Sequence, residues 1–186
     1  ADGESTTIWS DVAGVYSADP RRVKEARLLE RLSLAEANEL ARLGSSVLHS
    51  RTLQPVADSR QRLTLRCSYN PDEGCTHILR SAPRSGGARI VSSVDQIALI
   101  ELKVLPQTDF EQTVAAIEAH LARHRLHPLT LQRQPDRRVL RLAYTLEVAQ
   151  GAFEVLRDFQ LQGNFTGLIQ KEGFSLVALV GAGVTD

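Results

Sequence analysis

Between residues 97 and 171, the apolar positions switch between the spacing of strands and the spacing of helices, and this order constrains the fold most strongly. Strand-like runs occupy residues 97–104, 129–134, 139–144 and 166–171. Two helix-like runs each place apolar residues on one face: Phe110, Val114, Ile117 and Leu121 in the first, and Val148, Ala152, Val155, Leu156 and Phe159 in the second. The order predicts a ferredoxin-like α+β unit, an antiparallel sheet covered on one face by two helices.

The starts of these two helices carry polar residues suited to cap them. Thr108 and Glu111 fit a capping box, in which a hydroxyl and a carboxylate satisfy two amides that have no partner within the helix. This box predicts a helix from Phe110 to about Arg125. Thr145 is the predicted cap of the second helix.

The first 80 residues indicate α/β structure of a different kind. Ser33 and Glu36 form a further capping box, which predicts a helix over residues 34–43. Residues 11–21 are rich in turn formers and predict a loop. Strand-like runs occupy residues 6–9, 63–67 and 76–79, the last two as a hairpin-like pair.

Residues 81–88, Ser-Ala-Pro-Arg-Ser-Gly-Gly-Ala, have the composition of a linker, because they can bury little surface and include two flexible glycines. A short strand at residues 90–94 is expected after the linker. The last strand-like run, residues 174–180, has no helix after it and is expected to open a further, truncated unit. The predicted division is residues 1–80, a linker at residues 81–89, a second domain at residues 90–172, and the start of a third unit at residues 173–186.

The composition narrows the class of function. Lysine plus arginine (22) equals aspartate plus glutamate (22), so no net field favours nucleic acid. No stretch approaches the roughly 20 apolar residues of a membrane-spanning helix, and the N-terminus is unlike a signal peptide, so we expect a cytoplasmic protein without a membrane partner. Cys67 and Cys75 are expected to be reduced, packed thiols. The lack of any methionine indicates an excised fragment.

The loop after the first strand carries the strongest candidate site. Ligands of open α/β sheets bind beyond the carboxyl ends of strands, where Ser10, Asp11, Tyr16 and Arg21 are expected. Tyr16 could lie against an adenine ring, and Arg21 offers a planar fork for phosphate oxygens. Ser10 and Asp11 could form hydrogen bonds with a nucleotide. On spacing alone, the favoured alternative is a solvated turn in which Asp19 and Pro20 direct the chain.

Other motifs are weaker. His120, His124 and His127 have helical spacing, but no carboxylate or cysteine completes a ligand set, so no metal site is expected. Residues 181–183, Gly-Ala-Gly, resemble the opening of a dinucleotide fingerprint, but Asp186 stands where its third glycine would fall. Residues 84–89 are not followed by the lysine and hydroxyl of a P-loop. RNA-recognition modules share the ferredoxin-like order, but the predicted hairpin offers only one aromatic residue for stacking bases, which argues against RNA binding.

Residues 8–21, Ile-Trp-Ser-Asp-Val-Ala-Gly-Val-Tyr-Ser-Ala-Asp-Pro-Arg, resemble the nucleotide-binding segment of the aspartate kinases. The resemblance continues in the family's order at residues 36–41, 47–52 and 66–71, Glu-Ala-Asn-Glu-Leu-Ala, Val-Leu-His-Ser-Arg-Thr and Arg-Cys-Ser-Tyr-Asn-Pro. Within the family, the chain is most similar to the bifunctional aspartokinase–homoserine dehydrogenases of the methionine branch.

The resemblance implies that residues up to about Arg80 close an amino-acid-kinase α/β domain and that the rest belongs to a pair of ACT regulatory units. It also implies a parent enzyme that transfers the γ-phosphoryl group of ATP to aspartate with Mg²⁺, and NADP for a dehydrogenase domain outside the fragment. Catalytic residues are expected outside the fragment, which should be inactive alone. Association of ACT units implies a homo-oligomer. The alternative is a non-catalytic, amino-acid-binding and dimerising ACT module.

The family's nucleotide contacts fall on six residues of this sequence: Ser10, Asp11, Tyr16, Arg21, Ser46 and Val47. Ser46 stands where most aspartate kinases have lysine. Effector contacts in ACT units fall in the loop between the first strand and the first helix, here on Leu105, Gln107 and Asp109. This loop lacks the glycine that is usual there.

Overall fold

A computed structural model describes residues 5–45, 47–58, 62–81, 87–160, 163 and 165–182. The chain divides into two compact units. Unit 1 comprises Ala1–Ser93 and Val177–Asp186, and unit 2 comprises Val94–Leu176.

In the part of the chain that the structure describes, unit 1 contains a four-stranded mixed sheet and two helices. Its elements are β1 (Ser5–Ser10), β2 (Arg31–Ser33), α1 (Leu34–Arg42), α2 (Ser50–Asp58), β3 (Arg62–Cys67) and β4 (Cys75–Leu79). The strand order is β1-β3-β4-β2, with β3 antiparallel to β4 and the two outer pairs parallel. Leu32, Leu63, Leu65 and Ile78 are buried and form much of its core. The predicted hairpin-like pair is therefore confirmed.

The capping box at the start of α1 is confirmed. The Ser33 hydroxyl accepts a hydrogen bond from the Glu36 amide at 3.2 Å, and the Glu36 carboxylate accepts one from the Ser33 amide at 2.8 Å. Gly44 follows the helix with a φ of +78°, a conformation in which glycine is free of Cβ strain. The local sequence alone therefore determines both ends of this helix.

The second sheet has the ferredoxin-like order that the sequence predicts. Its elements are β5 (Gly87–Val104), α3 (Phe110–Arg123), β6 (Thr130–Gln134), β7 (Val139–Thr145), α4 (Leu146–Gln160) and β8 (Phe165–Ala182), with a 3₁₀ turn at Pro135–Arg137. The strand order is β6-β7-β5-β8. β7 is antiparallel to both of its neighbours, β5 and β6. Ser175 bonds Asp95 and Gly167 faces Lys103, so β8 runs antiparallel to β5.

The core of unit 2 lies between this sheet and the two helices. Phe110, Val114, Ile117 and Leu121 are buried, as the helical spacing predicts. In α4 the prediction is partly wrong: Val148 is 38% exposed, whereas Ala149, Ala152 and Leu156 are fully buried. The buried face of α4 therefore begins at Ala149, one residue later than predicted. The apolar face is wide enough that its spacing is compatible with either Val148 or Ala149 as the first buried residue.

The cap of α3 also differs from the prediction. The N-cap is Asp109, whose carboxylate accepts a hydrogen bond from the Gln112 amide at 2.7 Å. The Thr108 hydroxyl instead donates to the Leu105 carbonyl at 2.9 Å. The predicted box of Thr108 and Glu111 is therefore wrong by one position.

Two predicted breaks in the strands do not exist. Residues 90–94 and 97–104 lie in the single strand β5, and residues 166–171 and 174–180 lie in the single strand β8. Gln96 and Gly173 have φ values of +56° and +85°, so the backbone is irregular there without ending either strand. Residues 87–89, predicted as linker, are the start of β5, and residues 82–86 lie outside the described residues.

Candidate functional site

The loop after β1 folds back on itself as two short, paired limbs, residues 15–17 and 27–29. The Leu29 amide donates to the Val15 carbonyl, and the Ser17 amide donates to the Arg27 carbonyl, both at 2.8 Å. Tyr16 pairs with Leu28 as an antiparallel bridge between these hydrogen bonds. The loop is therefore an ordered, hydrogen-bonded structure with its own tip.

The start of the loop is held by the end of β3. Both the amide and the hydroxyl of Ser68 donate to the Ser10 carbonyl, at 2.8 and 2.9 Å. The Cys67 thiol donates weakly to the Asp11 carbonyl at 3.6 Å. The Ser10 hydroxyl donates to the Asp11 carboxylate at 2.9 Å. The first two predicted site residues therefore lie at the carboxyl end of β1, as expected.

The base of both limbs rests on Thr76 of β4. Its hydroxyl accepts a hydrogen bond from the Val15 amide at 2.9 Å and donates one to the Leu29 carbonyl at 2.7 Å. The Thr76 side chain is completely buried. The sequence analysis did not identify Thr76, because it lies 61 residues beyond Val15 in the chain.

Tyr16 is half-buried on the first limb. Burial raises the pKa of its phenol, and the negative charge of Glu73 acts in the same direction. The phenol therefore remains neutral at physiological pH and keeps a hydroxyl that can donate a hydrogen bond.

Arg21 lies at the tip of the loop with an exposed side chain. Its guanidinium donates to both carboxylate oxygens of Asp19 at 3.1 Å, and its amide donates to the same carboxylate at 2.9 Å. These bonds lower the pKa of Asp19 and raise that of Arg21. Arg22 approaches the same carboxylate at 4.0 Å. The tip therefore presents two guanidinium groups around one carboxylate.

The second predicted segment is only partly described. Val47, between α1 and α2, is half-buried, and its amide donates to the Ser45 hydroxyl at 3.3 Å. Ser46 lies outside the described residues. Four of the six predicted nucleotide contacts, Ser10, Asp11, Tyr16 and Arg21, therefore share one ordered loop.

The predicted effector loop before α3 is held by Arg138, which the sequence analysis missed. The Arg138 guanidinium donates to the Val104 carbonyl at 3.4 Å, to the Thr108 carbonyl at 2.6 Å and to the Leu105 carbonyl. Asp109 caps α3, and the Gln107 side chain is exposed. Three backbone carbonyls of this loop, those of Val104, Leu105 and Thr108, therefore already have a partner within the chain.

His120 lies in α3 and is half-buried, whereas His124 at the C-cap of this helix and His127 beyond it are exposed. The His120 ring stacks on Phe159 with centroids 4.2 Å apart, and the His124 ring lies 5.0 Å from that of His120. Burial lowers the pKa of His120, and the positive charges of His124 and Arg123 lower it further. In the described ranges, no three His, Cys, Asp or Glu side chains come together as metal ligands, and no helix is long and apolar enough to cross a membrane.

Comparisons with known proteins identify relatives of this chain. Residues 2–67 match the model of the amino acid kinase family. Bifunctional aspartokinase/homoserine dehydrogenase 2 of Escherichia coli is 51% identical over 179 residues, which are 96% of this chain and 22% of that protein. The aspartokinase of Corynebacterium glutamicum is 31% identical over 95% of this chain and 44% of its own length. The chain thus spans about a fifth of the length of the bifunctional relative.

A solved structure supports the same assignment. Escherichia coli aspartokinase III in complex with aspartate and ADP matches 98% of this chain and 41% of its own, with a TM-score of 0.80 and 26% identity. The fold is that of an amino-acid-kinase segment joined to a ferredoxin-like unit of the ACT type. The chain belongs to the aspartate kinase family.

Proposed function

We propose that the chain supplies the nucleotide-binding end of the kinase domain, with the adjoining ACT-type regulatory unit, to a longer aspartate kinase. The proposed reaction transfers the γ-phosphoryl group of ATP to the side-chain carboxylate of L-aspartate, giving 4-phospho-L-aspartate. Likeness to a bifunctional relative over 96% of the chain supports a parent that also has homoserine dehydrogenase activity with NADP. We also propose that this parent enzyme is cytoplasmic and that it acts in the biosynthesis of methionine, threonine and lysine.

The observation that carries this proposal is the ordered loop after β1 in a chain that belongs to the aspartate kinase family. Phosphoryl transfer depends on positioning and on neutralising phosphate charge, and the loop offers groups for both tasks. Tyr16 presents an aromatic ring with a neutral hydroxyl, and Arg21 presents a planar donor pair. A solved relative was crystallised with aspartate and ADP, which supports a nucleotide at the equivalent place here.

The residues present fit an ATP–Mg²⁺ complex in part. Two guanidinium groups at the tip, those of Arg21 and Arg22, suit phosphate oxygens, and Asp11 is an exposed carboxylate at the end of β1. Bound Mg²⁺ would neutralise phosphate charge. This chain's own part is to orient the base and to hold the phosphates, while the groups that bind aspartate are proposed to lie in the rest of the protein.

The test is calorimetric titration of the chain with MgADP, MgATP, lysine, threonine and methionine, alongside a phosphoryl-transfer assay of the full-length protein. Nucleotide binding by the chain and acyl-phosphate formation by the full-length protein are expected. Binding of an amino acid without any nucleotide binding would support the non-catalytic ACT module instead. A full-length protein without turnover would contradict the proposed reaction.

We also propose that the chain associates through β8. This strand is at the edge of its sheet, and its Ile169 and Phe174 side chains are 47% and 40% exposed. Exposed apolar edges favour pairing with a second strand. Light scattering after size exclusion should show a dimer that Ile169→Lys disrupts. Leu146→Lys, at an exposed apolar position of α4, is the matched control and should leave the dimer intact.

A further inference from the structure

In unit 1, the loop after β1 packs unusually closely against the sheet where Gly14 faces Thr76 of β4. A Cβ atom added to Gly14 would lie 2.2 Å from the Thr76 hydroxyl and 2.8 Å from the Thr76 Cβ. Real Cβ atoms do not approach other atoms so closely, so only glycine allows the loop backbone to lie directly on this side chain. The sequence Ala13-Gly14-Val15 is therefore fitted to Thr76 by shape.

Thr76 is also rigidly placed. β4 lies between β3 and β2, and Thr76 pairs with Leu65 of β3 in the antiparallel ladder. The side chain is 0% exposed, so its hydroxyl has no water to bond with in place of the loop. One donated and one accepted bond, to Leu29 and from Val15, join the bases of both limbs to this fixed point.

We infer that Thr76 is a positioning residue for nucleotide binding, acting through Gly14 and the two limbs. The inference rests on the proposed function, because the limbs carry Tyr16 and lead to the tip with Arg21. Thr76 is buried and does not itself touch the nucleotide. It fixes the height and direction of the limb that carries the Tyr16 ring, so that the ring and the tip guanidinium act on one ligand together.

Substitutions of Thr76 that keep its size but change its hydroxyl test the positioning role separately from the shape of the side chain. Thr76→Val keeps the shape but leaves the Val15 amide and the Leu29 carbonyl without their partner. Thr76→Ser keeps the hydroxyl. Thr76→Cys keeps a group of similar size that donates and accepts only weakly, and it serves if the valine variant fails to fold.

A matched control exists in unit 2. Thr113 of α3 is 9% exposed, and its hydroxyl donates to the Asp109 carbonyl at 2.7 Å. Thr113→Val therefore removes a comparable buried hydrogen bond from a helix of the ferredoxin-like unit. Its expected effect is a lower melting temperature without a change in nucleotide affinity.

The measurement is steady-state kinetics of the full-length protein at varied MgATP and then at varied aspartate. KM does not depend on the fraction of folded enzyme, whereas the apparent kcat does, so KM separates positioning from general destabilisation. Thr76→Val should raise KM for MgATP by about tenfold and leave KM for aspartate unchanged, and Thr76→Cys should fall between it and wild type. Thr76→Ser should stay within about twofold of wild type.

An unchanged KM for MgATP in Thr76→Val or Thr76→Cys, in an enzyme whose wild type is active, would overturn the positioning role and leave the proposed function standing. An equal rise in Thr113→Val would overturn it as well. Lack of turnover by the wild type would contradict the proposed function itself, and the positioning role with it.

Discussion

Replacing Arg138 tests how the loop before α3 is held. Its half-buried guanidinium serves the carbonyls of Val104, Leu105 and Thr108, and its own backbone is left-handed with a φ of +54°. A hydrogen bond to a charged group contributes about 1.5–3 kcal/mol, but these three share one side chain, and water can reach the carbonyls after its removal. We therefore expect Arg138→Ala to reduce the free energy of unfolding of unit 2 by about 2–4 kcal/mol in total.

Arg138→Gly separates the hydrogen bonds from the backbone strain. Glycine relieves the left-handed strain of about 1–2 kcal/mol, and its greater freedom in the unfolded chain costs about 0.4–1 kcal/mol. The glycine variant should thus be more stable than the alanine variant by about 0.5–1 kcal/mol. Arg133→Ala is the control, because Arg133 bonds Glu111 and Glu118 at the surface, where such pairs contribute about 0–1 kcal/mol.

Hydrogen exchange, followed peptide by peptide, reports the opening free energy of β7 in unit 2 independently of unit 1. A loss of 2 kcal/mol corresponds to roughly 30-fold faster exchange of its protected amides. An alanine variant as well protected as the wild type, or a glycine variant less protected than alanine, would refute the reasoning.

Three further predictions follow from the packing and the loop. Ile117→Ala, at a fully buried position, should cost about 2–5 kcal/mol in urea unfolding, and a loss under 1 kcal/mol would contradict its place in the core. Because burial lowers the folded-state pKa of His120, the unfolded chain binds the proton more readily. Unfolding free energies should fall as pH drops below about 6.5, and His120→Asn should weaken this dependence. Arg21→Ala should reduce kcat/KM for MgATP in the full-length protein by about ten- to a hundredfold, while the chain alone shows no kinase turnover; unchanged efficiency would refute the phosphate role.

The sequence predicts those elements whose cause is local. The Ser33 and Glu36 capping box acts within one helical turn, so α1 appears as predicted. The apolar face of α3 repeats over three turns, which makes Ile117 and Leu121 easy to place in the core. Both features depend only on near neighbours in the chain.

The elements that the sequence analysis missed depend on distant partners. β2 is three residues long and exists because it pairs with β4, which lies more than 40 residues further along the chain. α2 contains Pro55, a residue that disfavours a helix interior, so its sequence does not suggest a helix. Tertiary contacts outweigh the local preferences in both cases.

The candidate site likewise combines residues that lie close together in the sequence with one residue that is distant in the sequence. Ser10, Asp11, Tyr16 and Arg21 are contiguous enough to be found as a motif, and they do share one loop. Thr76 supports that loop from 61 residues away, and nothing in the sequence around it signals a role. Sequence patterns therefore identify the groups that face a ligand more readily than the groups that position them.

The ion pair at the tip determines what phosphate binding can contribute. Arg21 already donates two hydrogen bonds to Asp19, so a phosphate group must either replace this carboxylate or share the guanidinium with it. Replacement is inexpensive, because the Arg21 side chain is 86% exposed and water screens the attraction between the two exposed charges. Phosphate carries more negative charge than a carboxylate and can also engage Arg22, so the exchange favours the nucleotide. Before the nucleotide binds, Asp19 holds the Arg21 guanidinium close to the position in which it would contact the phosphates. Arg21 therefore loses less conformational entropy on binding.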